Sequence, residues 1–412
     1  MKRIKLSLLA AMAVLSFTSC THDDAPNVGG DPGVGSSADV LLVKKFKTAP
    51  VFDGDIDEIW STARPLLSAA TVTAAGNKTV TLNKSSNGNL ALEPSDLFDP
   101  YKGESYKYSL RGGHDGEYLY LLLEYEDEAD SMDRESFYFD PATSTWKQEN
   151  KYANHKNDKF YEDKFGFMFP IKVNGAYPAG FKDGTCTITC HSGLTGTAAG
   201  TKSTRHYMKN AGELADLWHW KRNRNVLSQS VDDGYVTTDA NAGISTANGR
   251  KSDDGIKMYD DSPVFTDAVT GMKGPKWVKK GQSNYFWITD AELASGVAKL
   301  VKGVAVNGVL TLSDNSTIDP NTDLASYAKG FGKKRFPSVT VNPGAADFRS
   351  DTQVRAKHIG SGWQIEIKRK LNSGDPKDAV FVVGEEIPFG MAIFNNSAIA
   401  HGMSNFKTMK IE

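Results

Sequence analysis

Gly362-Trp363-Gln364-Ile365-Glu366-Ile367-Lys368 puts Trp363, Ile365 and Ile367 on one side and Gln364, Glu366 and Lys368 on the other. A period of two predicts a strand with one buried face. Other segments repeat this theme. Residues 117–125 (EYLYLLLEY) follow the turn signal His114-Asp115-Gly116 and read as a buried strand. Residues 137–139, 163–173 (DKFGFMFPIKV), 387–395 (IPFGMAIFN) and 406–411 read as further strands. The body opens at residues 51–60 with a short strand, a tight turn and a Trp that starts a helical turn. Helical spacing is scarce; residues 290–301, with Leu293, Val297 and Leu300, are the best candidate, against Gly296 in their middle. Residues 66–100 are polar and read as an elaborated loop. Residues 128–160 and 232–286 are too long for plain turns. The 38 glycines suit many turns. The fold class expected is mainly β: an antiparallel β-sandwich with long loop insertions.

The 412 residues are 39% hydrophobic and 24% charged, enough for a substantial core. Lys2, Arg3 and Lys5 precede an apolar run over residues 6–17 that is too short to span a bilayer. The run ends in Leu15-Ser16-Phe17-Thr18-Ser19-Cys20, which resembles a bacterial lipoprotein signal. The expected division is a signal peptide at 1–19, lipidation at Cys20, a flexible tether over 20–40 and one domain over 41–412. An ordinary secretory peptide is the alternative. Asp23 and Asp24 resemble a surface-export signal, so the expected location is the outer membrane, facing the periplasm or the cell surface. Membrane contact would run through the N-terminal lipid. Without the three N-terminal basic residues, 45 of the 48 Lys and Arg face 50 Asp and Glu. No basic stripe is present, and nucleic acid is not an expected partner.

The run Cys186-Thr187-Ile188-Thr189-Cys190-His191 holds two thiols and an adjacent imidazole. In a c-type attachment the thiols add across two haem vinyl groups and the histidine ligates the iron. The usual spacing is C-x-x-C-H, one residue shorter. The chain has three cysteines, and Cys20 has another task, so Cys186 and Cys190 have no other thiol to pair with. The alternative is a small local disulfide with His191 as a loop residue. A zinc site needs further ligands close by, and none cluster here. A haem attached outside the cytoplasm agrees with the export signal.

In order along the chain stand D-G-x-x-D-E-x-W, E-Y-L-Y-L, D-K-x-x-F-x-F-P, C-x-x-x-C-H and Asp216-Leu217-Trp218-His219-Trp220-Lys221. From about residue 48 to the end the chain resembles the haem-binding domain of the ethylbenzene dehydrogenase gamma-subunit and dimethylsulfoxide-reductase-related cytochromes. The resemblance implies a carbohydrate-module-like β-sandwich with one haem, electron transfer, and a redox partner protein, often a molybdenum enzyme. Some members hold haem non-covalently through a methionine and a lysine; the cysteine motif departs from that pattern. By position, the resemblance makes His191 the proximal iron ligand, Met208 the first choice for the sixth and His401 the second, with His206 and His219 as further options. Trp218 and Trp220 are candidates for the haem-binding surface, although on a strand their plainer role is core packing. His219 would share the other face with Leu217 and Lys221. Gly-rich residues 193–200 would let backbone pass close to a porphyrin.

A surface lipoprotein that binds carbohydrate or another small ligand is the competing expectation, with Trp60, Trp146 or Trp363 as sugar platforms and Cys186–Cys190 as a disulfide. No Gly-rich nucleotide loop, G-x-S-x-G or H-E-x-x-H occurs, so catalysis is not expected. Asp232-Asp233 and Asp253-Asp254 lie in polar runs and read as solvated turns. Asp53, Asp55 and Asp57 alternate without the rest of an EF-hand loop, and also read as a turn.

Overall fold

The computed structural model describes residues 39–72, 80–84, 88–92, 101, 103–149, 161–184, 208, 210, 212–237, 249–261, 264–282, 285–322 and 336–412. Thirteen strands form one hydrogen-bonded sheet folded on itself. In chain order they are β1 (Val40–Lys45), β2 (Leu66–Thr71), β3 (Ser105–His114), β4 (Tyr118–Glu126), β5 (Lys164–Ile171), β6 (Leu214–Lys221) and β7 (Asp232–Thr237). β8 (Gly249–Ser252), β9 (Gln353–His358), β10 (Gly362–Lys370), β11 (Glu386–Phe394), β12 (Gly402–Met403) and β13 (Lys407–Ile411) follow.

One leaf runs β8-β7-β6-β5-β11 and the other β2-β3-β4-β10-β9. β12 joins β11 to β2, and the parallel pair β13–β1 joins β11 to β3. At the opposite side Val231 donates its N–H to the Thr352 carbonyl, and Val354 its N–H to that of Gln229, so the leaves are laced at both margins. Pairing is otherwise antiparallel within each leaf. The result is the expected β-sandwich.

The core between the leaves is aromatic because alternate residues of each strand point into it. Phe165, Phe167 and Phe169 of β5, Trp218 and Trp220 of β6 and Phe389, Met391 and Ile393 of β11 meet Leu119, Leu121 and Leu123 of β4 and Trp363, Ile365 and Ile367 of β10. Trp220 and Trp363 cross edge to face at 5.2 Å. Side chains of this size bury roughly 150–250 Å² each and dominate the packing.

The opening D-G-x-x-D-E-x-W segment is pinned to β10. Glu366 Oε2 accepts the Gly54 N–H at 2.9 Å, and Glu366 Oε1 accepts the Trp60 indole N–H at 3.1 Å. Gly54 sits at φ +92°, a conformation open to glycine. The expected helical turn is a 3₁₀ turn over Glu58–Thr62 that begins two residues before Trp60, which packs with Phe46, Tyr120 and Leu122 on the outside of its leaf. Asp57 and Asp53 accept the Val51 and Asp55 N–H groups and tighten the loop that leads into this turn.

Several expectations fail locally. Residues 290–301 are helical only over Asp290–Ala294; Gly296 at φ +72° ends the helix, and Lys299–Val304 becomes a strand. The 66–100 stretch holds β2 and a hairpin of Val80–Lys84 with Gly88–Leu92. The 128–160 and 232–286 insertions contribute strands to a satellite core around Phe137, Phe139, Trp146, Val278, Val301, Leu310 and Phe336. Their inward apolar residues lie too far apart in sequence to announce a shared core.

Candidate functional site

The outer face of the β5–β6–β7–β11 leaf follows from register. Gly390, Met168, Leu217 and Gly234 form one row across β11, β5, β6 and β7. Ala392, Gly166, His219 and Asp232 form the next, and Phe394, Lys164 and Lys221 the third. Glycines and an alanine beside Met168 and His219 leave a low floor on this face.

Above the first row lies an apolar cluster. Met168, Ala215, Leu217 and Val236 of the leaf pack with Phe181 and Met208, and with Phe406 at its margin. Phe181 belongs to the helical turn Phe181–Gly184 and meets Phe406 at 5.0 Å. Phe181 and Met208, on either side of residues 185–207, pack in this one cluster. Met208 is fully buried there.

The third row opens into a polar cavity of about 330 Å³. Lys164, His219, Lys221, Arg224, Arg250 and Tyr259 are among its walls. Asp232 faces Lys221 at 2.6 Å, Arg349 at 2.8 Å and Arg250 at 3.7 Å, and accepts the Tyr259 hydroxyl at 2.6 Å. Burial works to raise the Asp232 carboxyl, but Lys221 and Arg250 outweigh it and hold it far below the usual range. Burial pulls the Lys221 ammonium down to about 7 against the pull of Asp232. Burial, then Arg224, holds Lys164 well below its ordinary value; Lys164 donates to the Ala398 carbonyl at 3.0 Å and lies over Phe394 at 4.2 Å. Arg224 is paired with Glu162 at 2.5 Å. The cavity is therefore basic and suits an anion.

His219 stands between the apolar cluster and the cavity. Both of its ring nitrogens are buried without a hydrogen-bond partner among the described residues. Burial first, then Lys221 and Arg250, keeps the imidazole neutral by holding it well below its usual range. Its ring meets Phe394 at 5.8 Å, and Phe394 meets His401 at 4.6 Å. His401 Nδ1 shares a 2.7 Å hydrogen bond with the Ile399 carbonyl.

Met208, His219 and His401 thus come to one face of one leaf. Trp218 and Trp220 do not: adjacent strand residues face opposite ways, and both indoles pack inside the sandwich. That corrects their candidacy for a haem-binding surface. Trp60, Trp146 and Trp363 are 1%, 5% and 2% exposed, which removes them as sugar platforms. Cys20, Cys186, Cys190, His191, His206 and residues 193–200 lie outside the described residues.

Reading Asp232-Asp233 and Asp253-Asp254 as solvated turns is wrong for three of the four. Asp232, Asp233 and Asp253 are buried; Asp254 is exposed and pairs with Lys377. The cations around Asp232 are Lys221 of β6, Arg250 of β8 and Arg349, which no local pattern predicts. Asp232→Asn leaves Lys221 and Arg349 without their counter-charge, and a loss of about 3–5 kcal/mol at pH 7 is expected. A carboxyl depressed in the fold contributes stability above its unfolded pKa, and that stability disappears as pH falls below about 4. Urea midpoints at pH 7 and pH 3 should therefore show the gap between wild type and variant narrowing in acid; a constant gap would count against the ion-pair account.

The fold and site define a β-sandwich with a basic, partly apolar recess on the outer face of one leaf. The chain belongs to the ethylbenzene dehydrogenase family, whose model matches residues 57–405. Among solved structures, it is similar to a carbohydrate binding module of family 9 from Caldicellulosiruptor kristjanssonii in complex with glucose. Identity is 10%, coverage 90% of this chain and 95% of that one, and the TM-score 0.27. A Bacteroides uniformis protein described as a candidate carbohydrate binder gives 8% identity, coverage of 91% and 99%, and a TM-score of 0.32. No curated protein matches the chain.

Proposed function

We propose that the protein is a lipid-anchored electron carrier that holds one covalent c-type haem on the outer face of the β5–β6–β7 leaf, outside the cytoplasm. In this reading Cys20 carries the lipid, Cys186 and Cys190 carry the haem, and His191 ligates the iron. The observation that carries it is the pinning of both ends of residues 185–207 by Phe181 and Met208 on the face that also holds His219 and the basic cavity. Four residues separate Phe181 from Cys186, so the two Cα atoms stand at most about 18 Å apart.

The described residues fit such a group. The cluster around Met168, Leu217 and Val236 offers an apolar wall, and Gly166 and Gly390 add no side chain to the floor beside it. Lys164, Lys221, Arg224 and Arg250 offer cations to carboxylates. Met208 and His219 offer a sulfur and a neutral imidazole on this face, and Met208 remains the first choice for the sixth ligand. When bound, the haem would supply a one-electron iron couple, whose potential a methionine ligand raises. Exclusion of water by the apolar cluster acts in the same direction.

A second reading follows from the polarity of the cavity: a surface lipoprotein taking a small anionic ligand, such as an acidic sugar, with Cys186–Cys190 as a disulfide. Met208→Ala, His219→Ala and His401→Ala, each made with a c-type maturation system, separate the possibilities. Met208→Ala is expected to lower the reduction potential or open the iron to carbon monoxide, with His219→Ala and His401→Ala close to wild type. A changed spectrum in only one histidine variant would transfer the sixth position to that residue. Protein without haem in every case would leave the small-ligand reading.

A further inference from the structure

The opposite face of β6 and β7 carries a second cluster. Asp216 and Asp233 are register neighbours of Tyr235 and Trp218 respectively, and both side chains point between the leaves. Asp378 and Asp375 reach them from the loop after β10, and Asp253 from the end of β8. Asp216, Asp233 and Asp378 each place a carboxylate oxygen within 4.8 Å of the others, and so do Asp253, Asp375 and Asp378. Both sets are buried and share Asp378.

One buried cation faces them. Arg369 of β10 lies 2.7 Å from Asp378 and 3.4 Å from Asp216, over the Trp218 ring. Its guanidinium takes one oxygen of each, Asp216 Oδ2 and Asp378 Oδ2. Among the described residues, Asp216 Oδ1 and Asp378 Oδ1 are left buried without a partner. Asp253 is 4% exposed, and neither of its carboxylate oxygens has a partner among them. Isolated buried carboxylates without donors are among the costliest arrangements in a fold. Three of these oxygens belong to Asp253 and Asp378, which meet with Asp375 from two chain segments; such a set suits a hard cation.

We propose that Asp253, Asp375 and Asp378, with Asp216 and Asp233 beside them, hold one calcium ion that clamps the two leaves together. Oxygens bound to one Ca²⁺ at about 2.3–2.6 Å stand no more than about 5 Å apart, as these do. Several carboxylates and no imidazole or thiolate favour calcium over zinc. An all-protein carboxylate cage also suits Ca²⁺ better than Mg²⁺, which keeps much of its water. The site joins the end of β8 in one leaf to the loop after β10 in the other. It is independent of the haem assignment.

The test is elemental analysis of the mature protein purified without chelator, then calorimetric titration and thermal unfolding with CaCl₂ after EDTA treatment. One Ca²⁺ per chain is expected, with a melting-temperature rise of roughly 4 °C at a hundredfold excess over the dissociation constant. Asp253→Asn should abolish that rise. Without Ca²⁺ it should melt above wild type, because it removes an uncompensated charge. Asp254→Asn should leave the rise intact. Wild type that neither contains Ca²⁺ nor responds to it overturns the proposal, whatever the folding of the variants. A calcium response unchanged in Asp253→Asn overturns it as well.

Discussion

Replacing Cys186 and Cys190 together by serine is expected to remove all covalent haem while leaving the sandwich folded. Neither residue belongs to the described core: Phe181 and Met208, on either side, are held by side chains of β5, β6 and β7. Loss of attachment should therefore separate from loss of fold. A denaturing gel stained for haem reads the first, and the cooperativity of urea unfolding reads the second. The single variants should each keep a fraction of the haem through one thioether. Full staining in the double variant would remove the attachment assignment. The cavity supplies a second readout. Lys164 and Lys221 are held low by burial among like charges. A bound carboxylate would favour their charged forms, so that haem loss should shift the pH dependence of stability near neutral pH.

Arg369→Met should give the largest loss of stability outside the hydrophobic core, about 3–5 kcal/mol at pH 7.5. Arg369 is fully buried, bonds the Ala379 carbonyl at 2.8 Å, and faces Asp216 and Asp378. Methionine keeps much of the volume but leaves those carboxylates without their cation. The penalty depends on their ionisation. Burial, partly offset by Arg369, already lifts Asp216 to about 7. An acid raised in the fold favours folding at low pH, and that contribution is lost as pH climbs from about 4 through 7. The variant should accordingly recover much of its deficit at pH 5. Urea unfolding of EDTA-treated protein at the two pH values measures both. A deficit below about 1 kcal/mol, or one equal at both pH values, would contradict the charge account.

The sandwich was legible because its strands alternate. Residues 362–368 have one apolar face, and the tryptophans of residues 216–221 took the core while His219 and Lys221 took the other side. The signals failed where burial depends on distant partners. Asp232-Asp233 looks like a turn until Lys221, Arg349 and Thr352 arrive from other elements. The 290–301 stretch has helical spacing, but five residues of helix and a glycine at φ +72° were all it could support. In the candidate site, Met208 and His219 were visible as residue types, and the resemblance ranked them by position. The basic cavity was not visible, because Lys164, Arg224 and Arg250 lie on different elements and meet only through the register of β5, β6 and β7.

Mass spectrometry of the intact mature protein, made with a c-type maturation system, with its reduced-minus-oxidised spectrum, tests the haem assignment most directly. One covalent haem per chain and a reversible cytochrome spectrum are predicted. A mass matching the bare polypeptide less two hydrogens, with a Cys186–Cys190 disulfide and no haem absorption, would contradict it.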